Sequence, residues 1–254
     1  MTTMQREDLS ALAQSYAEDG YVLVKGLLSR DEAATYRRRS HDLLARLNRS
    51  DDPTWGSAMG LADGRTRLQH LHDAQFYDAE LSKLLVDPRV TDVMAAVLGV
   101  PNVQLHHTKL FVKPPENGSP FPLHQDHPFF PHTHHRVGAA ILHFDDAPVE
   151  KGCVRVIPGS HLEGPREHDP EGSFHLTEPP FEAATPLPAE AGDVLFFTYL
   201  TVHGSGVNTS DEARTTWLIQ YRDPADPPTV KTHDHSLGQG MMLRGIDPTG
   251  RGAL

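Results

Sequence analysis

Along the first hundred residues the apolar positions recur with the period of a helix. Leu9, Leu12, Ala13 and Tyr16 stand at i, i+3, i+4 and i+7, and Gly20 sits where a left-handed cap would close that helix. A short strand is expected from Tyr21 to Lys25. Ser29 and Glu32 have the S-x-x-E spacing of a capping box, which predicts a helix to about Leu47 with Arg37, Arg38 and Arg39 on its solvated side. A further helix opens at Asp87-Pro88, buries Val90, Val93, Met94, Val97 and Leu98, and stops at Gly99.

After Pro101 the apolar period shortens to that of a strand. The runs Val103 to Lys113, Gly138 to Phe144, Cys153 to Ile157, Asp193 to Phe197 and Arg214 to Arg222 are rich in β-branched and aromatic residues, and Pro, Gly, Asn and Asp separate them. Strands at this spacing without helices between them favour an antiparallel sandwich or jelly roll, so the chain is read as mainly β with flanking helices. Ser160 to Glu190 carries six prolines and predicts a long loop, a functional lid in many folds. The last nineteen residues, from Ser236, hold five glycines and predict a loosely docked tail. No low-complexity linker or internal repeat divides the chain. We therefore expect one domain over 1–254, with a helical part at 1–100, a β core at 101–222 and a tail at 236–254.

Composition narrows the function. A chain of 254 residues can bury a core without disulfides. Its 23 Lys+Arg stand against 34 Asp+Glu, a net charge of −11 that repels a phosphate backbone and argues against a nucleic-acid partner. Apolar runs such as Gly138 to Leu142 fall far short of the roughly 18 residues needed to span a bilayer, so no membrane partner is expected. The amino terminus lacks an apolar signal-like segment and Cys153 has no second cysteine to join, which favours a reducing cytoplasm. A monomer or homodimer is expected.

The densest chemistry is histidine. The chain has 17, and eight of them lie between His106 and His143. Numbers alone mark solvated loops as readily as ligands, so spacing must decide. Phe121 to Asp126 contains an H-x-D pair entering the β region. On an extended chain alternate side chains point to one side, so His124 and Asp126 can offer an imidazole nitrogen and a carboxylate oxygen to a common point. The third ligand must come from another strand. The run from Asp193 leads to Val202-His203-Gly204-Ser205-Gly206, where glycines beside His203 permit close backbone approach. Two histidines and one carboxylate form the facial triad of mononuclear non-haem iron, which leaves positions open for reacting ligands. Arg214 follows eleven positions after His203. A hairpin of that length returns it to His203, where its planar fork could grip a carboxylate, and Ser205, on the face of His203, could add a hydrogen bond. Taken alone, Arg214 could equally make a surface ion pair with Glu212.

With these pieces in order, the chain resembles the phytanoyl-CoA dioxygenase family of Fe(II)- and 2-oxoglutarate-dependent oxygenases. The resemblance rests on Lys113-Pro114-Pro115, Pro122-Leu123-His124-Gln125-Asp126, the run Gly152 to His161, Gly192 to Phe197, and Val202 to Gly206 followed by Arg214. It covers about Gly20 to Tyr221. It implies a double-stranded β-helix, a cupin-like jelly roll, with helices packed outside. It implies iron on the catalytic set His124, Asp126 and His203, 2-oxoglutarate on Arg214 and Ser205, and a further cosubstrate contact at Lys113. The implied reaction uses O2, releases succinate and CO2, and hydroxylates an aliphatic C–H of a biosynthetic intermediate or acyl thioester. Near Ile141 and Leu142 this chain is aliphatic where the best-known acyl-CoA member has a tryptophan, a departure that bears on substrate and leaves the cofactor untouched.

Two other readings compete. A cupin-like metal enzyme could use His132 and His134 as an H-x-H pair without 2-oxoglutarate, and a non-catalytic relative could bind a metabolite. Structural zinc lacks its cysteines, and no H-E-x-x-H is present. For the substrate wall the candidates are His107, Lys109 and Phe111, which share a face with Lys113, and His127, Phe129 and Phe130 just past the ligand pair. Thr66, Arg67, Gln69 and His70 are candidates for the mouth.

Overall fold

The computed structural model describes residues 6–47, 68–116, 118–169 and 175–250. Helix α1 (Arg6–Asp19) ends where Gly20 turns left-handed at φ +83°, and strand β1 (Tyr21–Val24) follows at once. Helix α2 (Arg30–Leu47) begins with the expected capping box: the Glu32 amide donates to Ser29 Oγ at 3.2 Å, and the Ser29 amide donates to the Glu32 carboxylate at 2.8 Å. Strand β2 (Gln69–His72) and helix α3 (Ala79–Leu85) precede α4 (Pro88–Leu98), which Asp87 caps and Gly99 closes at φ +66°.

The remainder is strand. β3 (Val103–Lys113), β4 (Phe121–His124), β5 (Val137–His143), β6 (Val154–Val156), β7 (Thr185–Leu187), β8 (Val194–Thr198), β9 (His203–Ser205), β10 (Arg214–Arg222) and β11 (Met242–Arg244) follow in order. They form two antiparallel sheets. The larger runs β1-β8-β5-β10-β3-β11, with β2 also on β3, and the smaller runs β4-β9-β6-β7.

Strand alternation divides the core between two layers. Trp217, Ile219 and Tyr221 of β10, Ala140 and Leu142 of β5, and Val194 and Phe196 of β8 pack outward against Val90, Val93 and Met94 of α4. The intervening Ala139, Leu195 and Phe197, with Ile141 and Leu218 beside them, face inward and meet Val154 and Val156 of the smaller sheet. This is the jelly-roll core anticipated from the period-2 runs, and its inward face leaves a cavity between the sheets.

Two expectations need correction. The segment Ser160 to Glu190 contains β7, whose Thr185 and Leu187 register with Val156 and Val154 and complete the smaller sheet. Its Pro186 sits on an edge strand, where a missing N–H is tolerated. The tail is docked within its described part, 236–250, because Met242 pairs with Gln104 on the free edge of β3. Among the described residues no helix is long and apolar enough to cross a membrane.

Candidate active site

Strand pairing brings the two histidines together. His124 ends β4 directly opposite His203, which opens β9. A Cβ on Gly204 would come within 2.6 Å of the Phe121 carbonyl, so only glycine lets the two strands approach this closely. Asp126 arrives by a different route from the one expected. The chain leaves the extended conformation after His124, and Asp126 lies at φ −73°, ψ −22°, at the start of a short 3-10 turn. A strand end and a turn bring the pair together where alternation along one strand was anticipated.

Three donor atoms converge. His124 Nε2 lies 3.6 Å and His203 Nε2 3.8 Å from Asp126 Oδ1. His124 Nδ1 donates to the Pro122 carbonyl at 2.8 Å and His203 Nδ1 to the Thr201 carbonyl at 2.9 Å, which fixes the tautomers and turns each Nε2 lone pair to the common centre. Asp126 Oδ2 is buried with no hydrogen-bond partner. Burial, opposed by the neighbouring His124, pushes the Asp126 carboxyl up to about 6, and burial lowers His124 and His203 to about 4. A cation held by all three removes that conflict, since it favours the ionised carboxylate and the neutral rings alike.

Sequence reasoning passed over Gln125, although it stands inside the motif. Its side-chain amide donates to the carbonyls of Leu200 at 2.7 Å and Gly164 at 3.0 Å and accepts from the Arg166 amide at 2.8 Å. Its backbone N–H donates to His168 Nε2 at 2.8 Å. The residue between the two candidate ligands is thereby clamped to the loop after β6 and to the end of β8.

Next to the triad lie two buried cations. Lys113 and Arg214 are register partners on β3 and β10. Lys113 Nζ donates to Ser205 Oγ and to the Gly206 carbonyl, both at 2.7 Å. Arg214 Nη1 donates to the Gly152 carbonyl, while its Nε is buried with no partner. Glu212 does not pair with Arg214, because its carboxylate bridges to Lys151. Burial first, and then its neighbour Arg214, holds the Lys113 ammonium well below its ordinary range; burial lowers Arg214 to about 10. Two desolvated cations side by side, with no carboxylate ion-paired to either among the described residues, are costly unless an anion joins them.

A cavity of about 210 Å³ is lined by the triad, Ser205 and Arg214, whereas Lys113, bonded to Ser205, does not reach it. Of the expected wall, His107, Lys109, Phe111, Phe129 and Phe130 reach it. His127 does not, since its ring packs on Tyr199 at 5.3 Å and on His135 at 5.4 Å. His70 lines a separate pocket with His72 and His235, and Gln69 lines neither. Thr66 and Arg67 lie outside the described residues. His132 and His134 do not meet: the first is buried and bonded to the Phe130 carbonyl, the second exposed. His233 lines the cavity unanticipated, carried there by the carboxy-terminal segment.

The chain is similar to several known proteins. A probable phytanoyl-CoA dioxygenase of Caenorhabditis elegans is 28% identical over 228 residues, 81% of this chain and 72% of its own length. A probable alpha-ketoglutarate-dependent hypophosphite dioxygenase of Stutzerimonas stutzeri is 26% identical over 244 residues, 91% of this chain and 85% of its own. The solved structure of the epimerase SnoN with Fe3+, alpha-ketoglutarate and nogalamycin RO matches with a TM-score of 0.74 at 26% identity, covering 96% of this chain and 98% of that one. The family model described as phytanoyl-CoA dioxygenase matches residues 16–216, most of the chain, and the protein belongs to that family.

Proposed function

We propose that this chain, an iron- and 2-oxoglutarate-dependent oxygenase, holds Fe(II) on His124 Nε2, Asp126 and His203 Nε2 and receives the distal carboxylate of 2-oxoglutarate on Arg214, with Ser205 and Lys113 beside it. The observation that carries the reading is Asp126, whose Oδ1 lies within reach of two oriented histidines and whose Oδ2 is buried without a partner, beside the buried Arg214 and Lys113. When bound, iron and 2-oxoglutarate supply dioxygen activation, in which one oxygen atom enters succinate, CO2 leaves, and the other oxygen atom hydroxylates an aliphatic C–H.

The residues orient and exclude. The Pro122 and Thr201 carbonyls keep both imidazoles in one tautomer, and Gln125 fixes the turn that presents Asp126. Lys113 holds Ser205 against the cavity wall, so the cosubstrate meets a preformed donor set. Phe111, Phe129 and Phe130 make the wall around the reacting centre aromatic and limit water there.

The substrate is a small molecule that fits the cavity; the aliphatic Ile141 at its wall supports a substrate other than an acyl-CoA. The net charge of −11 supports an enzyme without nucleic-acid partners, and the lone buried Cys153 supports a cytoplasmic one. His124→Ala is expected to abolish iron-dependent succinate formation while the melting temperature stays within a few degrees of wild type, because the sheets do not depend on the metal. Wild-type succinate output from that variant would refute the ligand assignment.

A further inference from the structure

We propose that His106, His107 and His233 form a second metal site, separate from the triad, that takes zinc or a like divalent late transition metal. Each of the three offers a ring nitrogen, and those nitrogens lie within 4.8 Å of one another.

Two local irregularities create the cluster. Neighbouring residues of a strand normally point to opposite faces. In β3, Gln220 registers with His107 but Tyr221 with Leu105, so His106 is the extra residue of a β-bulge. Packing shows the consequence: Leu110 and Val112 face the helices, and so do Leu105 and Val103, of opposite parity. The bulge therefore turns His106 to the side of His107, and their Nδ1 atoms share a hydrogen bond at 2.7 Å that an incoming ion would replace. The third member is equally specific. His233 adopts φ +58°, a conformation that non-glycine residues rarely hold, and its ring stacks on His107 with centroids 4.4 Å apart and planes 17° apart, so sharing an ion with His107 requires the His233 ring to turn out of that stack. Its Nδ1 is buried without a partner.

The surroundings suit a metal. Phe130 packs on all three rings at 4.6, 5.4 and 5.3 Å and limits water there. Burial lowers His233 to about 4 and His106 and His107 further, so the rings are neutral at pH 7 and keep their lone pairs. Gln239 Nε2 lies 3.3 Å from His106 Nε2. The same Nε2 donates to the Thr232 carbonyl at 3.2 Å, which ties the segment carrying His233 to His106. An all-imidazole set without a carboxylate favours zinc, copper or nickel over magnesium or calcium. Three nitrogens would leave a fourth position for water, and a bound ion would fasten the carboxy-terminal segment to β3 beside the cavity that both His107 and His233 line.

The test titrates zinc calorimetrically into the full chain with His124→Ala and His203→Ala, which disables the triad. One equivalent is expected to bind, and adding His233→Asn should weaken it at least tenfold. Asparagine tolerates the left-handed backbone, so the change removes a ligand without adding strain. Absence of stoichiometric uptake, or uptake indifferent to His233→Asn and to His107→Gln, would overturn the proposal. The triad-intact chain gives an independent reading: it should take two equivalents of zinc and its His233→Asn form one, and a single equivalent in both would also overturn it.

Discussion

Arg214 shows how much one side chain can reveal. Its guanidinium is buried beside a buried lysine, and what it lacks is an anion. If that anion is the distal carboxylate of 2-oxoglutarate, Arg214→Ala removes one side of a desolvated charge pair and should weaken cosubstrate binding roughly a hundredfold. Thermal shift checks this directly. At a 2-oxoglutarate concentration about 100 times the wild-type Kd, wild type should gain about 2.7 kcal/mol and Arg214→Ala only about 0.4 kcal/mol. Equal shifts in the two proteins would remove Arg214 from the cosubstrate site. At this scale the sequence was legible where a motif states both residue type and spacing, as with His124, Asp126 and His203. Lys113 came into view only through family resemblance, because a lysine at a strand end carries no signature of burial. His106 and His233 escaped because a bulge and a left-handed backbone aim them, and neither irregularity shows in the pattern of apolar positions.

Elements explain why the site stays in place, and the start of α2 is a measurable case. Glu32 closes the capping box on Ser29 and also accepts from Arg89, at 2.8 Å, tying α2 to the first turn of α4. The Arg89 hydrogen bond is the main cause that pulls the Glu32 carboxyl down to about 2 from its ordinary 4.5. A carboxyl whose pKa is lower in the folded state stabilises the fold above its unfolded value, and that contribution is lost as pH falls from about 4.5 to about 2. With allowance for its partial exposure, Glu32→Gln should cost about 1 to 2 kcal/mol at pH 7, and the gap from wild type should close near pH 2 in acid-melting curves. A gap that stays constant with pH would show that the charge is not the cause. The long helices and strands were legible because many residues repeat one period. β7 and β11 were not, since three residues including a proline, or three among glycines, carry too little periodicity and exist only because an edge strand is there to receive them.

Over the whole molecule, helices cover one face of the large sheet, the small sheet covers part of the other, and the cavity is what the second layer leaves open. The candidate ligands come from the small sheet and the turn after it, and the cosubstrate cations from the large one, so chemistry can happen only where the sheets meet. That arrangement makes the central claim a matter of where dioxygen ends up. The most direct measurement incubates the protein with Fe(II) and 2-oxoglutarate under 18O2 and reads the succinate by mass spectrometry. Iron-dependent succinate carrying one heavy oxygen, absent from His203→Ala, is the predicted result; unlabelled succinate, or turnover that survives loss of His203, would contradict it.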